Sequence, residues 1–175
     1  MSQREYLVEL HPRTLAGEEL TLRYSRWGHT TRRTDTPPDV HYEQRLLDPG
    51  VFSATLPRPG SQDARTRVSY GAIELADSDG LLDALLEYGW AGCRARVLVG
   101  VVGAPYAEFA PMFDGLIEDL EGDEDSVRVL LRGREWDWSR RPLQPLLYAG
   151  NNDLPDGLEG TASDLKGRTK PLAFG

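Results

Sequence analysis

Short runs in which polar and apolar residues alternate recur along most of this chain, and they constrain its fold more than any other feature. Examples are residues 6–10, 18–24, 67–75 and 127–131, with Gly, Pro and Asp concentrated in the turns between such runs. A period of two is typical of a β-strand that buries one face. With about eight short strands at this spacing, the sequence predicts a mainly β barrel or sandwich.

A single segment has the pattern of an α-helix. Residues 77–80 (DSDG) supply side chains that can cap a helix N-terminus, and their negative charge suits the positive end of the helix dipole. Leu81, Leu82, Leu85 and Leu86 then form one apolar stripe, and Gly89 follows as a stop signal. We therefore predict one helix of about three turns, packed on the sheet.

Two segments of the chain lack the alternating pattern of the predicted strands. Residues 26–39 are polar and end in a Pro-Pro pair, which predicts a loop or a disordered stretch. From residue 143 onward Gly and Pro recur too densely for a core element. We place a boundary near residue 150: residues 1–150 form the β-rich domain, with room for two small β subdomains, and residues 151–175 form an extended linker or arm.

Charge and cysteine content narrow the class of protein. Acidic residues outnumber basic ones by 28 to 20, and a net charge of −8 repels nucleic acid on average. The one cysteine, Cys93, excludes an intrachain disulfide and a cysteine-based zinc site, and we expect it to act as a buried small hydrophobe. The N-terminus lacks the pattern of a signal peptide, and the longest apolar run is strand-sized, so we predict no membrane-spanning segment.

Candidate chemical groups all have a simpler structural interpretation. The sequence from Asp77 resembles the opening of a calcium loop, but Leu82 and Tyr88 stand where an EF-hand requires Gly and Glu. The carboxylates of residues 121–125 crowd a predicted hairpin tip, where water solvates them. The three histidines, at positions 11, 29 and 41, are far apart and are expected in loops or on the surface. The basic and aromatic stretch 26–33 fits a solvated loop, or one ordered by a protein partner, better than a nucleic-acid contact. We predict no catalytic residue, cofactor or metal.

Several phrases in the second part of the chain are distinctive in combination. They are VSYGAIELA at 68–76, DGLLD at 79–83, FDGLIED at 113–119, and a last run from GLEG at 157–160 through DLKG at 164–167 to KPLAFG at 170–175. On these phrases, about 110 residues of the chain resemble the N-terminal hub region of tail-tip or baseplate proteins from long-tailed bacteriophages and related prophage particles. Members of that family usually continue well beyond the last phrase.

The resemblance implies a non-enzymatic structural role in the tail tip of a virion assembled in the bacterial cytoplasm. Such hubs are built from β-barrel domains and form a ring, commonly a homotrimer, between the distal tail or tube protein, the tape measure protein and a central spike or fibre. It also implies an acidic lumen with no specific nucleic-acid binding. Residues in the predicted arm would contact partners: Gly157, Leu158, Gly160, Asp164, Leu165, Lys166, Gly167, Lys170, Pro171 and Leu172.

Two other functions stay open on the sequence. A tail-associated cell-wall hydrolase would use the acidic region 119–125, and a carbohydrate-binding β domain would use Trp136 and Trp138 as stacking surfaces. The two tryptophans alternate along one predicted strand, and this spacing favours core packing over sugar stacking for them.

Overall fold

The computed structural model describes residues 3–55, 67–134, 146–148, 150 and 166–170. The chain divides into two compact units, Met1–Arg134 and Glu135–Gly175. The described residues are mainly β, which confirms the predicted class. None of the helices in this part of the chain has the length and apolar character needed to cross a membrane.

Eleven β-strands lie in the described part of the first unit. They are Arg4–Leu10 (β1), Leu22–Ser25 (β2), His29–Thr30 (β3), His41–Gln44 (β4), Leu46–Asp48 (β5), Phe52–Thr55 (β6), Arg67–Tyr70 (β7), Ala72–Ala76 (β8), Arg94–Val101 (β9), Ala110–Gly122 (β10) and Ser126–Arg132 (β11). Nine of them form one mixed sheet in the order β3-β4-β2-β1-β9-β10-β11-β8-β5, and β6 pairs with β7 in a separate ribbon. Only β2 and β4 pair in parallel; the other recorded pairs are antiparallel.

The large sheet curls but does not close, so the barrel that we predicted is not present among the described residues. Its edge strands are β3 and β5, and β4, the neighbour of β3, is separated from β5 in the chain by Arg45 alone. Because β4 pairs with β2 and β5 with β8, one short segment spans the gap between the two ends. The carbonyl of Arg45 also accepts a 2.7 Å hydrogen bond from Ala76 N. The ends are thus joined through the covalent chain, and the ladder of hydrogen bonds stays open.

The central strands bury both of their faces. Along β1, Val8 and Leu10 belong to the larger core, whereas Leu7 faces a smaller cluster with Tyr42, Leu98 and Phe109. The larger core takes most of its other members from β8 to β11, among them the alternating Val127, Val129 and Leu131, and the rest from β2, β5 and residues 82–90. That alternation was predicted, and all three side chains are buried. Burial of each such side chain is worth about 1.5–3 kcal/mol, so these two clusters fix the register of the sheet.

The predicted three-turn α-helix is a five-residue 3₁₀ helix, Asp83–Glu87. Leu82 and Leu85 are buried, but Leu81 and Leu86 are 68% and 47% exposed. A 3₁₀ helix has three residues per turn, so positions three apart share a face and a four-leucine stripe cannot form. The helix ends where Gly89 exchanges backbone hydrogen bonds with Arg13, at 2.8 and 3.0 Å. That bridge takes the place of the left-handed stop that we expected at Gly89.

The segment before this helix is organised by the predicted aspartates. Asp77 Oδ1 accepts a 2.8 Å hydrogen bond from the backbone N–H of Leu82, and Asp79 Oδ1 accepts one from Leu81 at 3.3 Å. The indole N–H of Trp90 donates to the carbonyl of Leu85 at 2.7 Å. Hydrogen bonds therefore join Asp77 to the start of the helix and the core residue Trp90 to the helix carbonyl of Leu85. A second 3₁₀ helix, Tyr106–Glu108, lies between β9 and β10.

The polar stretch 26–39 is more ordered than its composition predicts. It contains β3, whose His29 pairs with Tyr42 of β4, and Thr31 is buried. The Asp35 carboxylate closes a turn by accepting hydrogen bonds from Arg32 N at 2.8 Å and Tyr106 N at 3.1 Å. These long-range backbone contacts, which composition does not encode, hold the segment against the smaller cluster.

Candidate functional site

A buried carboxylate on a central strand of the sheet accepts hydrogen bonds from three side chains of distant segments. Glu9 on β1 is 7% exposed. Its Oε1 accepts hydrogen bonds from Tyr42 Oη at 2.6 Å and from Tyr106 Oη at 2.9 Å, while Oε2 accepts one from Arg96 Nη1 at 2.8 Å. Both oxygens are therefore engaged, and the group is a connector between β1, β4, β9 and the loop before β10.

The charge state of this cluster follows from its contacts. Burial acts to raise the pKa of Glu9, but the hydrogen bonds from Tyr42 and Tyr106 and the charge of Arg96 outweigh it, and the pKa lies below its ordinary value. Burial and the adjacent carboxylate raise the pKa of both tyrosines. Glu9 thus stays ionised and the tyrosines stay protonated around neutral pH. Because both tyrosine hydroxyl protons and one Arg96 N–H are committed to hydrogen bonds with Glu9, this arrangement stabilises the fold.

A second buried carboxylate, that of Glu5 near the start of β1, holds the beginning of the polar segment 26–39. Glu5 Oε1 accepts hydrogen bonds from the backbone N–H groups of Tyr6, Arg26 and Trp27 at 3.1–3.3 Å. Across the sheet Glu5 is paired in register with Gly100 of β9. A Cβ at Gly100 would lie 2.7 Å from the Phe109 ring, so only glycine lets this ring cover the strand. The chain at residues 26–28 is thereby held beside the end of β9.

An alternating row of charges crosses the sheet on the same face as Glu9. Arg96 is the register partner of both Glu9 and Asp114, and the Asp114 carboxylate accepts hydrogen bonds from Arg94 at 2.6 Å and Arg134 at 3.0 Å. The hydrogen bond from Arg94 is the main cause that lowers the pKa of Asp114. Cross-strand pairs of opposite charge stabilise a sheet modestly, and here they form one network over three strands.

An open polar groove of about 380 Å³ lies beside Arg45, between β4 and the segment that follows β8. Its lining includes His41, Glu43, Arg45 and Asp79. The Arg45 guanidinium makes two hydrogen bonds to the Asp79 carboxylate, at 2.8 and 2.7 Å, and one to Glu43 at 3.2 Å. The hydrogen bonds from Arg45 lower the pKa of Asp79 to about 2. Arg45, Glu43 and Asp79 of the groove are therefore paired with one another.

The acidic region that a hydrolase would use is an exposed hairpin tip. Asp119 and Asp123 accept hydrogen bonds from the backbone N–H of the following residue, and Glu121 forms an ion pair with Arg128 at 3.4 Å. Residues 121–125 are all exposed. Within residues 3–55, 67–134 and the short described C-terminal pieces, no three His, Cys, Asp or Glu side chains converge into a metal-binding group.

The histidines and the cysteine differ partly from expectation. His41 is exposed and His11 is half-buried beside Glu19, but His29 is 6% exposed and lies in a strand, so the surface prediction was wrong for it. Its ring packs edge-on against Phe109 and Tyr42, with centroid distances of 5.1 and 6.0 Å. Cys93 is half-buried and its thiol hydrogen-bonds the Gly89 carbonyl at 3.3 Å.

Most of the predicted partner-interface residues lie outside the described residues. Of the ten, Lys166, Gly167 and Lys170 are described, and Trp136 and Trp138 of the carbohydrate-binding alternative are not. Residues 166–170 run antiparallel to 146–148: Tyr148 N donates to Arg168 O at 2.9 Å, and Lys170 N donates to Leu146 O at 2.9 Å. Because their backbone groups pair with their own chain, these residues do not show the extended arm that we predicted.

Sequence reasoning missed the Glu9 cluster. The available signal was a charged residue inside an otherwise apolar strand, Val8-Glu9-Leu10, where an isolated buried carboxylate would be costly. That signal points to a partner without naming it, because Tyr42, Arg96 and Tyr106 come from distant segments.

In comparisons with known proteins, no protein-family profile matches this chain, and no curated protein is similar to it at a significant level.

Proposed function

We propose that this chain is a structural, non-catalytic component of a phage or phage-like tail tip, where it contributes to the hub ring between the tail tube and a central spike or fibre. The proposal begins from the sequence phrases that resemble the hub family. Its expected partners are other copies of the chain, in a homotrimer, together with the distal tail or tube protein and the tape measure protein.

The observation that carries the proposal is where those phrases lie in the fold. The phrase 68–76 covers part of β7 and all of β8, and the phrase 113–119 lies within β10. Ile73, Leu75, Phe113 and Ile117 from these phrases are members of one core cluster. The phrase 79–83 supplies the turn that leads into the first 3₁₀ helix. The resembling residues are therefore concentrated in the packing and turns of one sheet region, which supports likeness of architecture.

The state of the polar groups supports a structural role over a catalytic one. A catalytic acid or base needs a proton that it can exchange with a substrate. Glu9 and Asp114 instead accept three hydrogen bonds each, Glu9 from two tyrosine hydroxyls and an arginine, and Asp114 from two arginines. Such networks make a sheet rigid, and rigidity suits a subunit that must present fixed surfaces to its neighbours.

The proposal is tested by assembly with tail proteins. The purified chain is combined with the tube, distal tail and tape measure proteins of the same particle, and complexes are measured by native mass spectrometry and electron microscopy. We expect rings with a copy number that is a multiple of three, bound to the tube protein. A chain that binds none of the three proteins, or that turns over peptidoglycan by itself, would overturn the proposal.

A further inference from the structure

The strands of the large sheet begin and finish at two surfaces that differ in charge. One end, here called the arginine end, is where β1 begins and β9 finishes, and it exposes Arg26, Trp27, Arg33, Val101 and Val102. The opposite end, here called the acidic end, is where β9 begins and the β10–β11 hairpin turns. Its exposed carboxylates include Glu18, Asp83, Glu87, Asp123, Glu124 and Asp125.

The registers of the strands place the members of the arginine end together. Glu5 pairs with Gly100 across β1 and β9, and its carboxylate holds the backbone of Arg26 and Trp27. One residue further, the backbone N–H of Val102 donates to Gln3 O at 3.1 Å. The Arg32 guanidinium donates to Gly103 O at 2.7 Å, which secures the loop against the same strand end.

This end combines exposed apolar surface with positive charge. Trp27, Val101 and Val102 are each about 45% exposed. The Arg26 guanidinium lies 5.8 Å from the centroid of the Trp27 ring. Aromatic residues and arginine are the types enriched in the buried centres of protein interfaces. On a chain with a net charge of −8, a basic and aromatic surface calls for an acidic partner.

The acidic end offers matching chemistry. Leu86 is 47% exposed and lies against Gly122 at the tip of the β10–β11 hairpin, next to Asp123, Glu124 and Asp125. Leu15 is 84% exposed in the turn that follows β1. Apolar side chains are therefore surrounded by carboxylates at this end, as apolar side chains are surrounded by arginines at the other.

The charges of the two ends are not paired with each other within one molecule. Among the described residues, no ion pair includes Arg26 or Arg33 of the arginine end, or Asp123, Glu124 or Asp125 of the acidic end. Each end is thus available to a different molecule.

We propose that the arginine end of one copy of this chain docks on the acidic end of the next copy, in a head-to-tail contact. The contact deepens the proposed function, on whose ring assembly it rests, because it names the surfaces that join neighbouring subunits. A head-to-tail contact repeats around a ring when the rotation between copies closes, whereas a self-complementary contact would stop at two copies.

Charge reversal tests the contact on the full-length chain. One variant carries Arg26→Glu and Arg33→Glu at the arginine end, and another carries Glu124→Lys and Asp125→Lys at the acidic end. Association is measured by sedimentation velocity at about 50 mM and about 0.5 M salt, up to about 1 mM protein. We expect the wild type to associate at the lower salt, and each variant alone to bind itself at least about tenfold more weakly.

The two variants are each other's control. Mixing them should restore association between unlike copies, because the reversed arginine end of the first fits the reversed acidic end of the second. The two variants must then alternate, so we expect complexes with an even number of copies and no closed trimer from the mixture. A chain that carries all four substitutions keeps the net charge of −8 and should also associate, so it separates a specific contact from a general charge effect. All four side chains are exposed, and unchanged melting curves will show that the variants fold.

A neutral variant tests the apolar part of the contact. Trp27→Ser should weaken association at least about tenfold at both salt concentrations, because the loss of an aromatic anchor is not screened. Association that persists in the charge-reversed variants would overturn the head-to-tail contact and leave the ring itself standing. A wild type that stays monomeric throughout, or whose arginine end binds a single-stranded oligonucleotide in place of a second copy, would overturn it as well; the hub assignment is then decided separately by tail-protein binding.

Discussion

At the scale of single residues, the buried polar side chains of Glu9 and His29 lead to testable predictions about the stability of the protein. Glu9 is fully engaged by three donors, so its burial is compensated. His29 is compensated less well, because its buried Nε2 has no hydrogen-bond partner among the described residues. The difference predicts that the two side chains respond to acid in different pH ranges.

Removal of the Glu9 charge should destabilise the protein. In Glu9→Gln the carboxylate acceptor is replaced by an amide, and Arg96 loses a charged partner that it contacts at 2.8 Å. Hydrogen bonds to charged groups are worth about 1.5–3 kcal/mol, so we expect the free energy of unfolding in urea to fall by about 2 kcal/mol.

The matched control for Glu9 is the exposed Glu118→Gln, which should change that free energy by less than about 0.5 kcal/mol. Because the pKa of folded Glu9 lies below its ordinary 4.5, its contribution to stability is present above pH 4.5 and is lost as the pH falls below it. Equal stability of the Glu9 and Glu118 variants would contradict the role of the cluster.

The stability of the protein should decline as the pH falls below about 6.5, because of His29. Burial lowers the pKa of this side chain below its ordinary 6.5, so the unfolded state takes up a proton before the folded state does. Neighbouring charges act in both directions: Glu5 and Asp35 favour the protonated form, and Arg32 opposes it. Stability is therefore complete above pH 6.5 and decreases as the pH falls towards the lowered pKa.

The His29→Phe variant isolates this effect. It keeps a ring between Phe109 and Tyr42 but removes the titrating group, so its urea midpoint should depend less on pH over this range than that of the wild type. His41→Gln, on the exposed neighbour of the same strand pair, should keep the wild-type dependence. An identical pH dependence in His29→Phe and the wild type would refute the assignment.

At the scale of elements, the segment around the first 3₁₀ helix shows how close a sequence pattern comes to the fold. The aspartates that precede it and the two buried leucines were identified from the sequence. The helix type was not, because the backbone bridge between Arg13 and Gly89 ends the helix after five residues. An isolated sequence window contains no information about that bridge.

The leucines of this segment should differ in their tolerance of charge. Leu85→Asp places an unpaired carboxylate in the core, at a cost of about 3 kcal/mol or more, and should lower the melting temperature by about 10 °C. Leu81→Asp, at a position 68% exposed, should shift it by only about 2 °C. Similar shifts for both variants would indicate that Leu81 is buried as well, as in the four-leucine stripe of an α-helix. No shift for Leu85→Asp would show that Leu85 does not belong to the core.

At the scale of the whole molecule, the first unit supplies a rigid sheet with differently charged ends, and the proposed hub role requires contacts on both. The last segment of the chain carries the remaining phrases of the family resemblance. It has few apolar residues, and the proposed hub role predicts that a partner adds to its packing, for example by strand addition at a sheet edge.

Deletion of residues 157–175 should leave the first unit folded and abolish ring assembly. The physical reason is that the core clusters of that unit contain no residue beyond position 131. Circular dichroism and melting curves measure the fold, and native mass spectrometry measures the rings. Replacement of 157–175 by a scrambled segment of the same composition is the control, and it should fail to assemble as the deletion does. Normal rings from the truncated chain would contradict the prediction.

The sequence by itself determined the β class and the positions of most strands, because alternation along a strand is a local pattern set by one buried face. It also predicted a chain reversal over residues 121–126, and the structure turns between Gly122, the last residue of β10, and Ser126, the first of β11. Tertiary structure alone decided that the sheet stays open at Arg45, that His29 is buried, and that Glu9 meets Tyr42, Arg96 and Tyr106. Those partners lie 33, 87 and 97 positions away in the chain, and only the register of the assembled strands brings them together.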